Sequence, residues 1–411
     1  MSITRRDLLK NGAAVVAVGL AVPPWLSKMV WADNGAAMGF HKDVPDDRIL
    51  VVVQLTGGND GLNTVIPYAD SNYLTNRPNI GVADSQVLHL TDSIGLNPAM
   101  SGMKELWDNK QLAIVQGVGY PNPNRSHFRS MEIWQTAAPD SPATEGWIGR
   151  YLDAIRDGRA SPLTGINIGS EADPALASAH AAVPTIQGLA NFGVVYPNSP
   201  DGDARSAVLR QLQTADSKTP YGAFLQQTGD ELYESADKIR IASSAYKSGV
   251  TYGADGFGKG MQEIATLIAA NMGTKVFYIS FNGFDTHTNQ VKRQPVLLGQ
   301  LSDGLNSFMK DMTAMGKQDK VMVMCFSEFG RRVHENAGGG TDHGTASEMF
   351  LVGAGVKSGL YGNYPSLTDL DQGDLRFSTD FRSVYATALD RWMGTDSERV
   401  LGQKFDNLTF V

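Results

Sequence analysis

The sequence has one cysteine, Cys325, in 411 residues. No disulfide can form within the chain, so its stability has to come from a buried core and, where one exists, a bound metal. Glycine-rich phosphate loops, CxxC pairs and GxSxG motifs are also missing. Nucleotide hydrolysis, thiol redox chemistry and esterase chemistry therefore have no support in the sequence.

Positive charge is scarce beyond the first residues. The chain carries a net charge of −8. The first 32 residues contribute +3 to it, from Arg5, Arg6, Lys10, Lys28 and Asp7, which leaves −11 for the remainder. An acidic body of this kind is not expected to bind nucleic acid.

No apolar run beyond Ala32 approaches the roughly 20 residues that cross a membrane. The arginine pair at 5–6 precedes a weakly apolar stretch at 13–22, which Pro23 and Pro24 interrupt. This order predicts a twin-arginine signal peptide over residues 1–32, cleaved near Ala32, rather than a permanent anchor. We expect the export machinery to deliver residues 33–411 to the periplasm or medium already folded, without stable membrane insertion.

Continuous apolar runs recur along the chain and predict strands that are buried on both faces. They lie at Ile49 to Leu55, Leu112 to Gly117, Lys275 to Phe281, Lys320 to Phe326 and Glu348 to Val352. Helical spacing separates them, as at Leu297 to Met315. These patterns predict a three-layer α/β/α sandwich with a mostly parallel, doubly wound sheet, and a helical insert at about 201–272.

Chemistry-bearing side chains follow several of these strands. The carboxyl ends of strands in a doubly wound sheet share one edge, so such residues are expected to converge. Asp60 follows the first strand, where it fits a metal ligand or the cap of the next helix equally well. Asp285 and His287 follow the third, and their spacing in an extended loop suits two ligands of one metal.

Two further clusters flank the last two predicted strands. Glu328 follows the fourth strand and could ligate a metal or pair with an arginine. Asp342 and His343 lie in a glycine-rich loop before the fifth, which allows close approach of a ligand and also fits a solvated turn. Taken together, the clusters favour a metal-assisted site.

The segment after the second strand changes from loop to helix at Ser126. A serine at a helix N-terminus beside His127, Arg125 and Arg129 has its negative charge stabilised, and arriving anions are favoured too. The same serine also fits a simple helix cap. The expected substrate is an anionic small molecule or polymer.

Five motifs and the predicted signal resemble DUF1501, a bacterial family of twin-arginine-exported proteins of unknown function, over nearly the whole chain. The motifs are GGNDGLNT at Gly57 to Thr64, NRSHFRSMEIWQT at Asn124 to Thr136, GFDTH at Gly283 to His287, SEFGR at Ser327 to Arg331, and GGGTDHGTA at Gly338 to Ala346. The family itself resembles a divergent branch of the alkaline phosphatase and sulfatase superfamily.

This resemblance implies an exported hydrolase of phosphate or sulfate esters that uses a divalent metal, Zn, Mn, Mg or Ca. Ser126 would be the nucleophile, with His127 beside it, and Arg125 or Arg129 would hold the anion. The implied metal ligands are Asp60, Asp285, His287, Glu328, Asp342 and His343. The alternative is an exported, metal-stabilised binding or assembly protein that keeps the fold without catalysis.

Overall fold

The computed structural model describes residues 45–155, 162–189, 233–241 and 243–411. The predicted signal at 1–32 and the part of the predicted insert at 201–232 lie outside the described residues. In the rest of that insert, residues 233–241 and Gly256–Ala269 are helical. The division into signal, main domain and insert stays a prediction.

The strands of the described residues are β1 (Ile49–Thr56), β2 (Val65–Ile66), β3 (Leu88–His89), β4 (Gly95–Leu96), β5 (Leu112–Gly119), β6 (Gly165–Ile168), β7 (Thr185–Ile186), β8 (Val276–Asn282), β9 (Val321–Ser327), β10 (Ser347–Val352), β11 (Gly359–Tyr361), β12 (Leu370–Asp371), β13 (Asp374–Leu375) and β14 (Thr379–Asp380). The numbered α-helices of the described residues are α1 (Gly61–Thr64), α2 (Ser71–Asn76), α3 (Ser101–Asp108), α4 (His127–Thr136), α5 (Trp147–Ala154), α6 (Gly256–Ala269), α7 (Gln290–Ala314), α8 (Phe381–Thr387) and α9 (Ser397–Leu401), and residues 233–241 are helical as well. A π-helical turn, Ala388–Trp392, follows α8.

The central sheet has the strand order β11-β5-β10-β9-β1-β8-β6-β7, and β14 also pairs with β5. All of these pairs are parallel except those of β10, which runs antiparallel to β5 and β9. The predicted mostly parallel α/β sheet is therefore confirmed. The five long strands match the five predicted apolar runs to within two residues at each end.

One face of the sheet is covered by α3, α6 and α7. Val51 and Val53 of β1 pack there in one cluster with Met261 of α6 and with Leu301 and Leu305 of α7. Because successive residues of a strand point to opposite faces, this side of β1 is entirely apolar.

The other face is covered by α4, α5 and α8. Leu50 and Val52 of β1 lie there with Trp134 of α4, Ile148 of α5 and Tyr385 of α8. Helices thus cover both faces of the sheet, as the predicted three-layer sandwich requires. Among the residues with described positions, no helix is both long enough and apolar enough to span a membrane.

The reversed direction of β10 determines where the site forms. The loops after β5, β8 and β9 leave from the carboxyl edge of the parallel strands. Because β10 is antiparallel to its neighbours, the loop before it lies at that same edge. Motifs that follow three strands and a motif that precedes a fourth therefore meet in one place.

Candidate metal centre

Three side chains from three loops converge at this edge of the sheet. His127 is the first residue of α4, Asp285 follows β8, and His343 precedes β10. One ligand atom from each lies within 4.8 Å of the other two. The Asp285 carboxylate is central, because its Oδ2 lies 3.6 Å from His127 Nε2 and its Oδ1 lies 3.4 Å from His343 Nε2.

A third imidazole, that of His287, adjoins this group. Its Nε2 lies 3.1 Å from Asp285 Oδ1 and 2.9 Å from His343 Nε2. The two-residue spacing of Asp285 and His287 therefore brings both side chains to one centre. The described donor set comprises three imidazole nitrogens and one carboxylate.

The Nδ1 atom of each of these histidines faces an oxygen that can only accept a hydrogen bond. His127 Nδ1 lies 2.8 Å from Glu328 Oε1, and His343 Nδ1 lies 2.8 Å from the carbonyl oxygen of Arg125. His287 Nδ1 lies 3.1 Å from Asp342 Oδ1. In the neutral form of each ring these acceptors place the proton on Nδ1, which leaves a lone pair on Nε2.

Three Nε2 lone pairs and a carboxylate oxygen consequently point at one another. His127 Nε2 is buried and has no hydrogen-bond partner among the described residues. Without a positive charge between them, the facing nitrogens of His287 and His343 would repel. This donor set fits a divalent cation, with the acceptors at Nδ1 fixing the rings as outer partners of ligating histidines do.

Neighbouring groups and burial shift the pKa values of these side chains in different directions. The hydrogen bond that His127 donates to Glu328 raises the pKa of His127, whereas burial lowers the pKa of His343. Burial raises the pKa of Asp285, but the hydrogen bond and charge of Arg331 outweigh this effect, and the pKa of the carboxyl lies below its ordinary value. Asp285 is therefore held as the anion that a cation needs.

Arg331 ties the loops of the site together. Its guanidinium is buried and donates to Asp285 Oδ1 at 2.6 Å, to the Gly58 carbonyl at 2.6 Å and to the Thr341 carbonyl at 2.9 Å. Close packing of the backbone requires glycine at position 57, where φ is +120° and a Cβ would lie 2.4 Å from the Asp285 nitrogen. The loops after β1, β8 and β9 thus form one rigid unit.

Asp60 lies apart from this group. Its Oδ2 pairs with Arg77 Nη1 at 2.5 Å, and both side chains are fully buried. Gln290 also donates to Oδ2, whereas Oδ1 has no partner within the described part of the chain. The side chain does not cap α1. A role for Asp60 as a ligand stays a prediction, and what the structure records is a buried ion pair.

The predicted catalytic residues around Ser126 are placed as follows. Ser126 is exposed and immediately precedes α4, but its side chain makes no capping hydrogen bond. Arg125 donates to the buried carboxylate of Asp374 at 2.7 Å, and Arg129 lies 2.9 Å from Glu132 Oε1. Both arginines are thus paired within the protein, and their role in holding an anion stays a prediction.

The family model described as "Protein of unknown function (DUF1501)" matches residues 47–408. The chain belongs to this family. No curated protein matches the DUF1501 chain.

Several solved structures are similar to the DUF1501 chain, with low sequence identity. A protein in the alkaline phosphatase superfamily from Vibrio parahaemolyticus is 10% identical, with 89% of this chain and 71% of that chain covered and a TM-score of 0.39. A sulfatase from Pseudoalteromonas sp. is 12% identical, with 88% of this chain and 70% of that chain covered and a TM-score of 0.41. The phosphonate monoester hydrolase of Agrobacterium radiobacter is 8% identical, with 88% of this chain and 79% of that chain covered and a TM-score of 0.39.

Two features of the DUF1501 site were not predicted from the sequence. The sequence places His127 beside the nucleophile, whereas in the structure it joins Asp285 and His343 in a group that could hold a metal. Its position after a buried strand, like that of Asp285, was the available signal. The sequence assigns Arg331 no role, yet its side chain binds Asp285 and backbone carbonyls of three loops.

Proposed function

We propose that this protein is a metal-dependent hydrolase of phosphate or sulfate esters. The observation that carries the proposal is the convergence of three Nε2 atoms on Asp285, each from a ring whose Nδ1 is held by an oxygen acceptor. Such a donor set is suited to binding a cation. Placement at the carboxyl edge of the sheet, where loops open to solvent, makes the site accessible to a substrate.

The donor set also narrows the choice of metal. Imidazole nitrogens suit zinc and other transition metals, whereas magnesium and calcium prefer sites built from oxygen. Three histidines and one aspartate therefore favour zinc over manganese, magnesium and calcium. Glu328 and Asp342 accept from His127 and His287, so we assign them the role of orienting the rings rather than binding the metal.

When bound, the cation would supply Lewis acidity, which lowers the pKa of a nucleophile and offsets charge on the ester oxygens. Ser126 is the proposed nucleophile, because it directly precedes His127 at the N-terminal end of α4, where the helix dipole favours negative charge. Its Oγ would form a bond to phosphorus or sulfur as the ester bond breaks, and the serine proton would pass to the leaving alkoxide. Water would then hydrolyse the seryl ester, which gives phosphate or sulfate and restores the Ser126 hydroxyl.

The exported location belongs to the same proposal. A twin-arginine signal at 1–32 would send residues 33–411 to the periplasm or medium after folding. A site assembled from several distant loops can then take its metal before export. Deleting residues 1–32 from a tagged protein and fractionating the cells tests this, because the truncated protein should stay in the cytoplasm.

An assay panel tests the hydrolase directly. Purified protein is supplied in turn with Zn, Mn, Mg and Ca and assayed on aryl phosphate, phosphodiester and sulfate substrates. We expect zinc to give turnover, and Ser126→Ala to lower kcat by about 10³-fold or more. Ser93→Ala, a change at another exposed serine, is the matched control. Unchanged activity in Ser126→Ala would remove the nucleophile assignment.

One observation favours the alternative, a protein that binds metal without catalysis. Arg125 and Arg129 are both paired with carboxylates, and the Ser126 side chain makes no capping hydrogen bond. Stoichiometric metal with no turnover across the substrate panel would support this alternative. Trapping of a phosphorylated Ser126 would support the hydrolase.

A further inference from the structure

A pocket of about 310 Å³ opens beside the carboxyl end of β5. Its walls come from the loop at 119–123, from α4, from the start of the loop after β9, and from the hairpin of β12 and β13. Ligand pockets start at about this volume, so it has room for one small ring system.

Four aromatic side chains line this ring pocket. Tyr120, Trp134 and Phe329 are 2% exposed and form its inner part, whereas Phe377 is 37% exposed and lies at its rim. Aromatic walls favour a flat apolar ring, which can stack on them or meet them edge to face.

The inner part also offers a hydrogen-bond donor. Trp134 Nε1 is buried and has no partner among the residues that the structure describes. The Tyr120 hydroxyl is already engaged, because it lies 2.9 Å from Ser130 Oγ and accepts from the Asn124 nitrogen. An occupant with an oxygen acceptor would satisfy the indole nitrogen.

The charges of the pocket do not suit an anion. Glu328 and Asp371 are among its lining residues. Arg376 also lines it, but its guanidinium is paired with Asp369 at 3.1 Å. The phosphate or sulfate of a substrate therefore belongs at the histidines, and the ring pocket suits a neutral group.

The ring pocket adjoins the candidate metal centre. Thr345 lines it and is two residues from His343, so their Cα atoms are within about 7 Å. Phe329 lies between the two sites, with its ring 4.9 Å from that of His127 and 4.8 Å from that of His343. The ring pocket and the candidate metal centre therefore share Phe329 as a common wall.

We propose that this pocket binds the organic part of the ester substrate, a small planar ring that carries an oxygen acceptor. The role in catalysis rests on the proposed hydrolase function, whereas binding of the ring does not. The pocket therefore selects aryl esters over esters of short acyclic alcohols.

Direct binding is tested on the metal-loaded full-length protein with acetophenone, a neutral ring with a carbonyl acceptor, by ligand-observed NMR. Pentan-2-one, an acyclic ketone, is the comparison ligand. We expect acetophenone to bind at least about fivefold more tightly, and Phe377→Ala to weaken its binding by about five- to tenfold. Phe128→Ala removes an 86% exposed ring outside the pocket and should leave binding unchanged.

Trp134→Phe keeps a ring in the wall but removes the indole donor, and thermal melting shows whether it folds. It should weaken acetophenone binding by about fivefold, an amount typical of one hydrogen bond. The proposal is overturned when acetophenone and pentan-2-one bind alike, or when Phe377→Ala and Phe128→Ala have the same effect.

Turnover gives the second readout. Phe377→Ala should raise KM for phenyl phosphate by about fivefold while KM for ethyl phosphate stays constant. Equal changes for both esters would contradict a ring-binding role. Ring binding without any hydrolysis would overturn the proposed function and leave the pocket assignment standing, whereas hydrolysis without ring binding would do the reverse.

Discussion

The Nε2 atoms of His287 and His343 lie 2.9 Å apart, although the Nδ1 atom of each ring already faces an oxygen acceptor. Two neutral rings held in this way present lone pairs to each other, an arrangement that only a cation or an added proton stabilises. Asp285 Oδ1 lies within 3.4 Å of both nitrogens. This relationship is why we interpret the strand-end cluster as a metal centre.

Glu328 orients His127, so its replacement should weaken metal binding without removing a ligand. Glu328→Gln loses the charge that raises the basicity of the imidazole, and zinc affinity should fall by about 10- to 100-fold. The measurement is competition with a chromophoric chelator. Glu105→Gln, which alters an exposed glutamate paired with Lys310, is the control and should bind zinc like the wild type. Equal affinity in both variants would refute the orienting role.

The buried pair of Arg77 and Asp60 should be essential for stability. Arg77→Met leaves the Asp60 charge buried and unpaired, and should lower the free energy of unfolding by about 3–5 kcal/mol. Lys104→Met breaks a surface pair with Asp108 and should cost about 0.5 kcal/mol or less. Urea denaturation of both variants measures the difference. A similar loss in unfolding free energy for both variants would show that the pair of Arg77 and Asp60 contributes no more to stability than a surface pair.

Asp173 should make stability depend on pH. Burial raises the pKa of its carboxyl from 3.8 to about 6. The folded state therefore binds the proton more tightly than the unfolded chain, and stability is lost as pH rises through this interval. Asp173→Asn keeps an acceptor for the Ala175 nitrogen without the charge. It should be about 2–3 kcal/mol more stable than the wild type at pH 7.5 and similar near pH 4. A difference that does not change with pH would contradict this.

Two tyrosines attach the segment before α6 to the long helix α7. Tyr246 and Tyr252 donate to the buried carboxylate of Asp311, at 2.5 and 2.9 Å. Tyr252→Phe should lower the free energy of unfolding by about 1.5–3 kcal/mol, as expected for a hydrogen bond to a charged group. Tyr68→Phe, which removes an exposed hydroxyl bonded to the Thr91 carbonyl, should cost less. Denaturant titration of the two variants distinguishes them.

The sheet could be predicted because its long strands are buried on both faces. The run Lys320 to Phe326 differs from the observed β9 by one residue at each end. Nothing in such a run specifies direction, so the antiparallel course of β10 was not foreseen. The strands β11 and β14 have three and two residues, too few to show a pattern.

The sequence could predict only those site residues that lie next to the ends of predicted strands. The strand ends indicated that Asp285 and His287 lie at the carboxyl edge, because both follow a parallel strand. His343 precedes its strand and reaches the same edge because β10 is antiparallel. The strand ends could not indicate that the Arg125 carbonyl holds His343, since a backbone oxygen has no sequence signature. The pairing of Arg125 with Asp374 could not be predicted either, because the two residues are 249 positions apart in the sequence.

Metal content tests the central claim most directly. The protein is stripped with a chelator, dialysed against limiting zinc and analysed by elemental mass spectrometry, beside His343→Ala and the exposed control His334→Ala. The account predicts stoichiometric zinc and a raised melting temperature in the wild type and in His334→Ala, with both lost in His343→Ala. Wild-type protein without zinc, or equal zinc in all three proteins, would contradict it.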